Sequence, residues 1–290
     1  MNETVLIFDG TNLLHRSHHA LFNTDMRSSD GNPTWALHGL LLSISNLSAK
    51  FKPSHIVVAF DTPGGCKFRR ELLPSYKANR GAPNQELGYQ LAQAYVSISM
   101  LGLGAIAMNE YEADDLMATV ATLASNKGMK SIVVSSDRDC YQLIEEGVRV
   151  SKPDGTIITD EFMKEKYGIT ASRYRDLAAL RGEPSDNLKG IPGIGEKNAV
   201  KLINAVDNIA GLRDEPLKVR EILSERLAKN LIDNFDNYLV NLEIGKLLRD
   251  LPVGGIIENS KLPLKADKIR EALIPLGLYV ASGKLTTNLS

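Results

Sequence analysis

Cysteine is scarce in this chain: Cys66 and Cys140 are the only two among 290 residues. That excludes a disulfide framework and a zinc ribbon, and it fits reduced thiols in a cytoplasmic protein. Long apolar runs are missing too, since the longest, around Ile98 to Met108, is too short to cross a bilayer. The N-terminus enters a strand pattern at once, without a basic segment ahead of an apolar one, so neither a leader peptide nor a membrane partner is expected. No nucleoside triphosphate loop is visible, because Asp9-Gly10-Thr11-Asn12 lacks the Gly-Lys-Ser/Thr ending. Internal repeats and low-complexity tracts are absent, and 43% hydrophobic residues exclude a disordered chain. The formal net charge is only −1. Taken alone, that argues against a nucleic-acid partner.

What is present changes that reading. Nine carboxylates recur at or near the ends of short apolar runs: Asp9, Asp61, Glu112, Asp114, Asp115, Asp137, Asp139, Glu183 and Asp186. Three buried-type strands, Val5 to Phe8, His55 to Phe60 and Ser131 to Ser136, each run into an acid. Ligands of an open parallel sheet gather at the carboxyl ends of its strands, so these acids should converge there. So many like charges need cations, and hard oxygen donors favour magnesium or manganese over zinc, with two or more ions expected. The commonest chemistry of such a site is phosphoryl transfer. With those nine set aside, 35 acids fall to 26 against 34 bases, a surplus of eight that suits a polyanionic substrate. An ordinary mixed surface is the plainer account of the same charges.

Strand and helix patterns alternate through the first ~170 residues, as in a doubly wound α/β layer. Trp35, Leu37, Leu40, Leu41, Ile44 and Leu47 share a helical face; further helices are expected over Gln85 to Leu101, over Ala113 to Ser125, and from near Arg138. After Thr170 strand signals nearly vanish, which predicts a second, mostly helical unit. We therefore divide the chain into residues 1–168 and 169–290.

Three segments carry chemistry. On a helix, Glu112 and Asp115 lie on one face and Asp114 on another; acids at a helix start are also explained by the dipole alone. Their company with Asp137-Arg138-Asp139 makes the ordered set informative. The insertion after Asp61 places Lys67, Arg69, Arg70, Lys77 and Arg80 among Phe68 and Tyr76, a composition suited to single-stranded nucleic acid and also to a solvated loop. Gly64, Gly65, Gly81 and Pro83 would hinge it. The run Gly190-Ile191-Pro192-Gly193-Ile194-Gly195-Glu196-Lys197 predicts a tight hairpin between helices, a plain connection or a phosphate grip, with Lys197 and Lys201 beside it. His15, His18 and His19 lack the neighbours of a transition-metal site and read as packing or phosphate-facing groups.

At Phe8 to Asn12, Phe68-Arg69, Tyr76 to Arg80, Tyr111 to Asp115, Asp137 to Asp139 and Ser185 to Leu188, followed by the glycine hairpin, the chain resembles the 5′ nuclease family. That family comprises the N-terminal domain of bacterial DNA polymerase I, stand-alone 5′–3′ exonucleases and flap endonucleases. The resemblance extends in register to Leu276-Gly277-Leu278. It implies a PIN-like (resolvase-like) α/β fold with a C-terminal helix-three-turn-helix module; with no polymerase pattern following and no coiled-coil pattern, a free-standing, monomeric nuclease is expected. By it, Asp9, Asp61, Glu112, Asp114 and Asp115 would serve one metal, directly or through water, and Asp137, Asp139, Glu183 and Asp186 a second. Lys77 would approach the scissile phosphate, Arg80 and Arg16 would contact phosphates, and Tyr76 would stack on a base. Residues 62 to about 88 would form an arch around a 5′ single strand, and Gly190, Gly193, Gly195 and Lys197 would grip duplex DNA, with potassium as a candidate ion at the hairpin. Glu183 departs from the aspartate usual there, keeping the charge but moving it by ~1.5 Å.

The expected activity is two-metal hydrolysis of DNA at 5′ ends and single-strand/duplex junctions, in replication or repair, on flaps, nicks or RNA/DNA primers and with a DNA polymerase acting in trans. Rival readings are a PIN-like ribonuclease, against which the basic insertion and hairpin weigh, and a non-catalytic junction-binding protein.

Overall fold

Strand β1 (Thr4–Asp9) is buried along nearly its whole length, and β2 (His55–Phe60) throughout, as strands covered on both faces must be. The computed structural model, which describes residues 3–81 and 84–290, sets them in a six-stranded sheet with β3 (Gly104–Ala107), β4 (Lys130–Val134), β5 (Val148–Ser151) and β6 (Ile157–Ile158), in the order β3-β2-β1-β4-β5-β6. The first five run parallel and only β6 is reversed. The expected mostly parallel sheet is therefore present. Phe8 pairs with Val58 on one side and Val134 on the other, so β1, β2 and β4 finish close to level and deliver Asp9, Asp61 and Asp137 to one edge.

Alternate residues feed two cores. Leu6, Phe8, Val58 and Val134 pack under α1 (Gly10–Leu21), α2 (Trp35–Phe51) and α4 (Gln85–Leu101). Val5, Ile7, Val57 and Val133 pack under α5 (Ala113–Asn126), α6 (Asp160–Tyr167) and α7 (Tyr174–Arg181). The helices expected over Gln85 to Leu101 and from Ala113 form as read. The helix expected from near Arg138 forms as a 3-10 helix, Arg138–Leu143, with the Asp137 carboxylate accepting from the Asp139 N–H. The insertion holds one short helix, α3 (Lys67–Leu72), then successive turns, because Leu73 before Pro74 is extended and ends it. Pro83 lies outside the described residues.

The later chain is helical, with one exception missed in the sequence, a two-stranded ribbon of β7 (Gly182–Glu183) and β8 (Leu188–Lys189). Gly182 (φ 78°) and Gly190 lie backbone to backbone; a Cβ on Gly190 would come within 1.9 Å of the Arg181 carbonyl oxygen. The glycine hairpin therefore joins β8 to α8 (Glu196–Ala205) rather than helix to helix. Helices α9 (Pro216–Ile222), α10 (Glu225–Asp233) and α11 (Phe235–Ile244) complete the module. The final helices, α12 (Ala266–Leu273) and α13 (Tyr279–Leu289), return to the first layer: Ile269, Leu273, Leu278 and Leu285 share the core of Trp35 and Leu40. Residues 169–290 are thus not one packing unit. No helix among the described residues is long and apolar enough to cross a membrane.

Candidate active site

Every expected acid lies near a strand end or a helix start, where backbone N–H groups offset negative charge. Asp9 caps α1, its Oδ1 accepting from the Asn12 N–H at 2.9 Å and its Oδ2 from the Ser135 hydroxyl at 2.8 Å. Asp61 Oδ1 accepts from the Ala113 N–H at 2.8 Å, tying the end of β2 to the start of α5. Glu112 and Asp115 form a capping box on α5. Ser135, missed in the sequence, also accepts from the Asp137 N–H at 3.0 Å and so joins the β1 and β4 acids. A serine placed between a strand and its acid was the available signal.

The acids form two groups. In the first, Arg69 Nη1 lies 2.7 Å from Glu112 and 2.8 Å from Asp115, Nη2 lies 2.8 Å from the other Asp115 oxygen, and Nε donates to the Ile244 carbonyl at 2.8 Å. Tyr76 OH donates to Glu112 at 3.0 Å, and Lys77 Nζ stands 2.5 Å from it. Burial pushes the Glu112 carboxyl up, but Lys77 and Arg69 outweigh it and hold the group below its usual range. Asp114, turned to the cleft, goes well up, through burial first and then despite Arg69.

In the second group, Asp139 is pushed up to about 7 by burial and then by Asp137, Asp186 and Glu183. Asp137 is also raised, burial again leading. Asp9 rises to about 7, through burial and then Asp61. Asp186 pairs with Arg80 at 2.8 Å, and Glu183 with Arg181 at 3.2 Å and with the Ser185 hydroxyl at 3.0 Å.

Two expectations change here and a third, for Asp115, narrows to a role through water. Arg69 is 1% exposed and fully engaged, so it is no strand contact; the carboxylates it neutralises keep it inside. Tyr76, 7% exposed with its hydroxyl on Glu112, offers no free stacking face. Asp115 is wholly buried, its oxygens taken by Arg69 and the Leu248 N–H, which excludes direct metal ligation in this arrangement. Among the described residues, no three acidic, His or Cys side chains converge tightly enough to hold one ion as they stand. The chain's own cations sit between several of them. The donor set still fits hard divalent ions: it is all carboxylate, and Asp9 and Asp139 are pushed up to about 7 by burial and then by neighbouring carboxylates, a penalty that a bound cation would relieve.

Lys67, Arg70 and Arg80 are exposed along the strap, Phe68 is half-buried against Arg69, and Arg16, Lys197 and Lys201 are exposed on α1 and α8. His18 is buried, accepting from Trp35 Nε1 at 3.2 Å, a packing role; His15 and His19 are exposed. In the hairpin, Ile191 to Ile194 is a turn with Pro192 second and Gly193 (φ 79°) third, and the Pro192 and Gly193 carbonyls accept from Asn230 and Asn198.

A parallel sheet edged with carboxylates, roofed by a basic strap and followed by a helical module, defines the class of resolvase-like nucleases. Residues 4–168 match the model of the 5′-3′ exonuclease N-terminal resolvase-like domain and residues 169–268 that of the 5′-3′ exonuclease C-terminal SAM fold; the chain belongs to the 5′-3′ exonuclease family. DNA polymerase I of Mycobacterium tuberculosis is 36% identical over 99% of this chain, which spans about a third (32%) of that relative's length. A 5′-3′ exonuclease of Buchnera aphidicola is 31% identical over 87% of this chain and 89% of its own. The fold is shared with phage T5 5′-exonuclease holding zinc (TM-score 0.71, 20% identity, 99% and 100% of the two chains). It is also shared with the catalytic core of Rad2 with DNA substrate (TM-score 0.61, 16% identity, 100% and 93%).

Proposed function

We propose that this protein hydrolyses DNA phosphodiesters at 5′ ends and at single-strand/duplex junctions, as a 5′–3′ exonuclease and flap endonuclease using magnesium or manganese. The observation that carries the reading is the meeting of Asp9, Asp61, Glu112, Asp114, Asp137, Asp139, Glu183 and Asp186 in one cleft under Lys77 and Arg80. Divalent ions there, when bound, supply an acidified water and charge stabilisation at the leaving oxygen. Asp9, Asp61, Glu112 and Asp114 would hold one and Asp137, Asp139, Asp186 and Glu183 the other. Asp115 and Arg69 support the first group from behind. Burial pulls the Lys77 ammonium pKa down, but Glu112 and Asp186 more than compensate; the group stays charged where the phosphate gains negative charge. Arg80 and Arg16 would take neighbouring phosphates, exposed Lys67 and Arg70 the 5′ strand, and the hairpin with Lys197 and Lys201 the duplex, so recognition is by shape. Potassium at the hairpin has less support, since Asn230 and Asn198 already occupy two of its carbonyls.

The test is cleavage of a 5′-flap duplex labelled at both ends, with magnesium, manganese or chelator. Metal-dependent products within a nucleotide or so of the junction are expected, and Asp137→Ala should lose at least about a thousandfold in rate while still binding the flap. Wild-type-like turnover by that variant would sink the two-metal reading. Binding without cleavage by the native protein would favour a junction-binding protein, and preference for RNA a PIN-like ribonuclease.

A further inference from the structure

Lys77 (φ 55°) and Asn187 (φ 60°) are non-glycine residues in the left-handed region, and both stand in the cleft. That conformation costs about 1–2 kcal/mol at Lys77, where it persists only because the surroundings hold it, and less at Asn187, since asparagine tolerates it. Here the holding is reciprocal. The Lys77 N–H donates to the Asp186 carbonyl at 2.9 Å. Asn79 Nδ2 donates to the Pro184 carbonyl at 2.8 Å, and Asn187 Nδ2 returns the bond to the Ser75 carbonyl at 2.8 Å. All three reach backbone oxygens, so they fix the path of residues 75–80 against 184–187 whatever the charge on the carboxylates. The Lys77 ammonium is thereby set 2.5 Å from Glu112 and 4.0 Å from Asp186, one in each acid group.

We propose that Asn79 and Asn187 are positioning residues, a two-way amide clamp that holds the strained backbone of Lys77 and so aims its ammonium between the two acid groups. The inference rests on the nuclease reading above. Through the clamp the strap is fastened to the second group just as Arg69 fastens it to the first. Neither asparagine is buried, so replacing both should leave the fold intact.

The experiment compares native protein, Asn79→Ala/Asn187→Ala, Lys77→Ala and the triple variant in single-turnover cleavage of a 5′-flap duplex with magnesium. Amide hydrogen exchange at Lys77 is followed in parallel, without metal or DNA. The clamp variant should cleave about a hundredfold more slowly, the scale of a small misplacement, with flap affinity within about threefold. In the Lys77→Ala background the same pair should cost nothing further, and Lys77 exchange in the clamp variant should quicken at least about tenfold. Equal losses in both backgrounds, an unchanged rate, or unchanged exchange would each overturn the clamp. If the native protein fails to cleave, the nuclease reading falls by itself, and unchanged exchange alone then overturns the clamp.

Discussion

The two acid groups share a cleft and a residue type, yet the protein treats them in opposite ways. Around Glu112 and Asp115 it has built its own counter-ion, a buried guanidinium with every nearby oxygen satisfied. Around Asp137 and Asp139 it supplies no such partner, and Asp139 is pushed up to about 7 by burial and then by Asp137. A carboxylate whose oxygens are all taken from within, as at Asp115, serves the fold, and one left without a cation of its own, as at Asp139, is open to an outside ion.

The comparison can be broken most forcefully at Arg69. Arg69→Met leaves the buried Asp115 without its cation and Glu112 with Lys77 alone, and should destabilise the fold by about 3–5 kcal/mol in urea titrations, whereas a loss under about 1 kcal/mol would deny Arg69 its role as internal counter-ion. The second group should respond with the opposite sign. Asp139→Asn removes a crowded charge and should stabilise the metal-free protein by about 1–2 kcal/mol near neutral pH while abolishing cleavage; destabilisation would show that its charge is already balanced.

The same contrast appears against pH. Asp9 and Asp139 have folded values raised to about 7 from 3.8, so between those values the folded state holds more protons than the unfolded one. Metal-free stability should therefore fall as pH rises through that window and level off above it, and magnesium should restore it with release of protons. Glu112 is shifted the other way: its contribution is present above its ordinary 4.5 and lost as pH falls through its lower folded value. Melting temperatures from about pH 4 to 8, with and without magnesium, check both signs. The smallest expected effect is at Glu183, already paired with Arg181 and Ser185. Glu183→Asp should shift the magnesium concentration for half-maximal rate by about tenfold or less, and a larger shift would make it a principal ligand.

The sheet and its acids were legible because buried parallel strands are continuous apolar runs, and an acid at the end of one stands out. Lys77, Arg80 and the α5 acids could be placed from their neighbours. The interior of the strap was not legible, since five cations in a short stretch look alike by composition and only contact decides which one is buried. Spacing offered a clue: Cys66, Arg69 and Tyr76 are the buried members, with Leu73 partly covered between them, at near-helical intervals. The β7–β8 ribbon escaped notice because two-residue strands carry no period. The return of α12 and α13 to the first core is a long-range packing outcome that no local pattern encodes.

That return has a mechanical consequence. The chain leaves the α/β layer after α6 and is sewn back where the Leu262 N–H donates to the Ser54 carbonyl and the Leu264 N–H to the Leu289 carbonyl. The helical module is therefore a closed loop of structure, anchored at both feet, and not a flap on a single hinge. Its hairpin and the acid cleft behave as the fixed jaws of a caliper, and the span between them is a dimension of the fold itself.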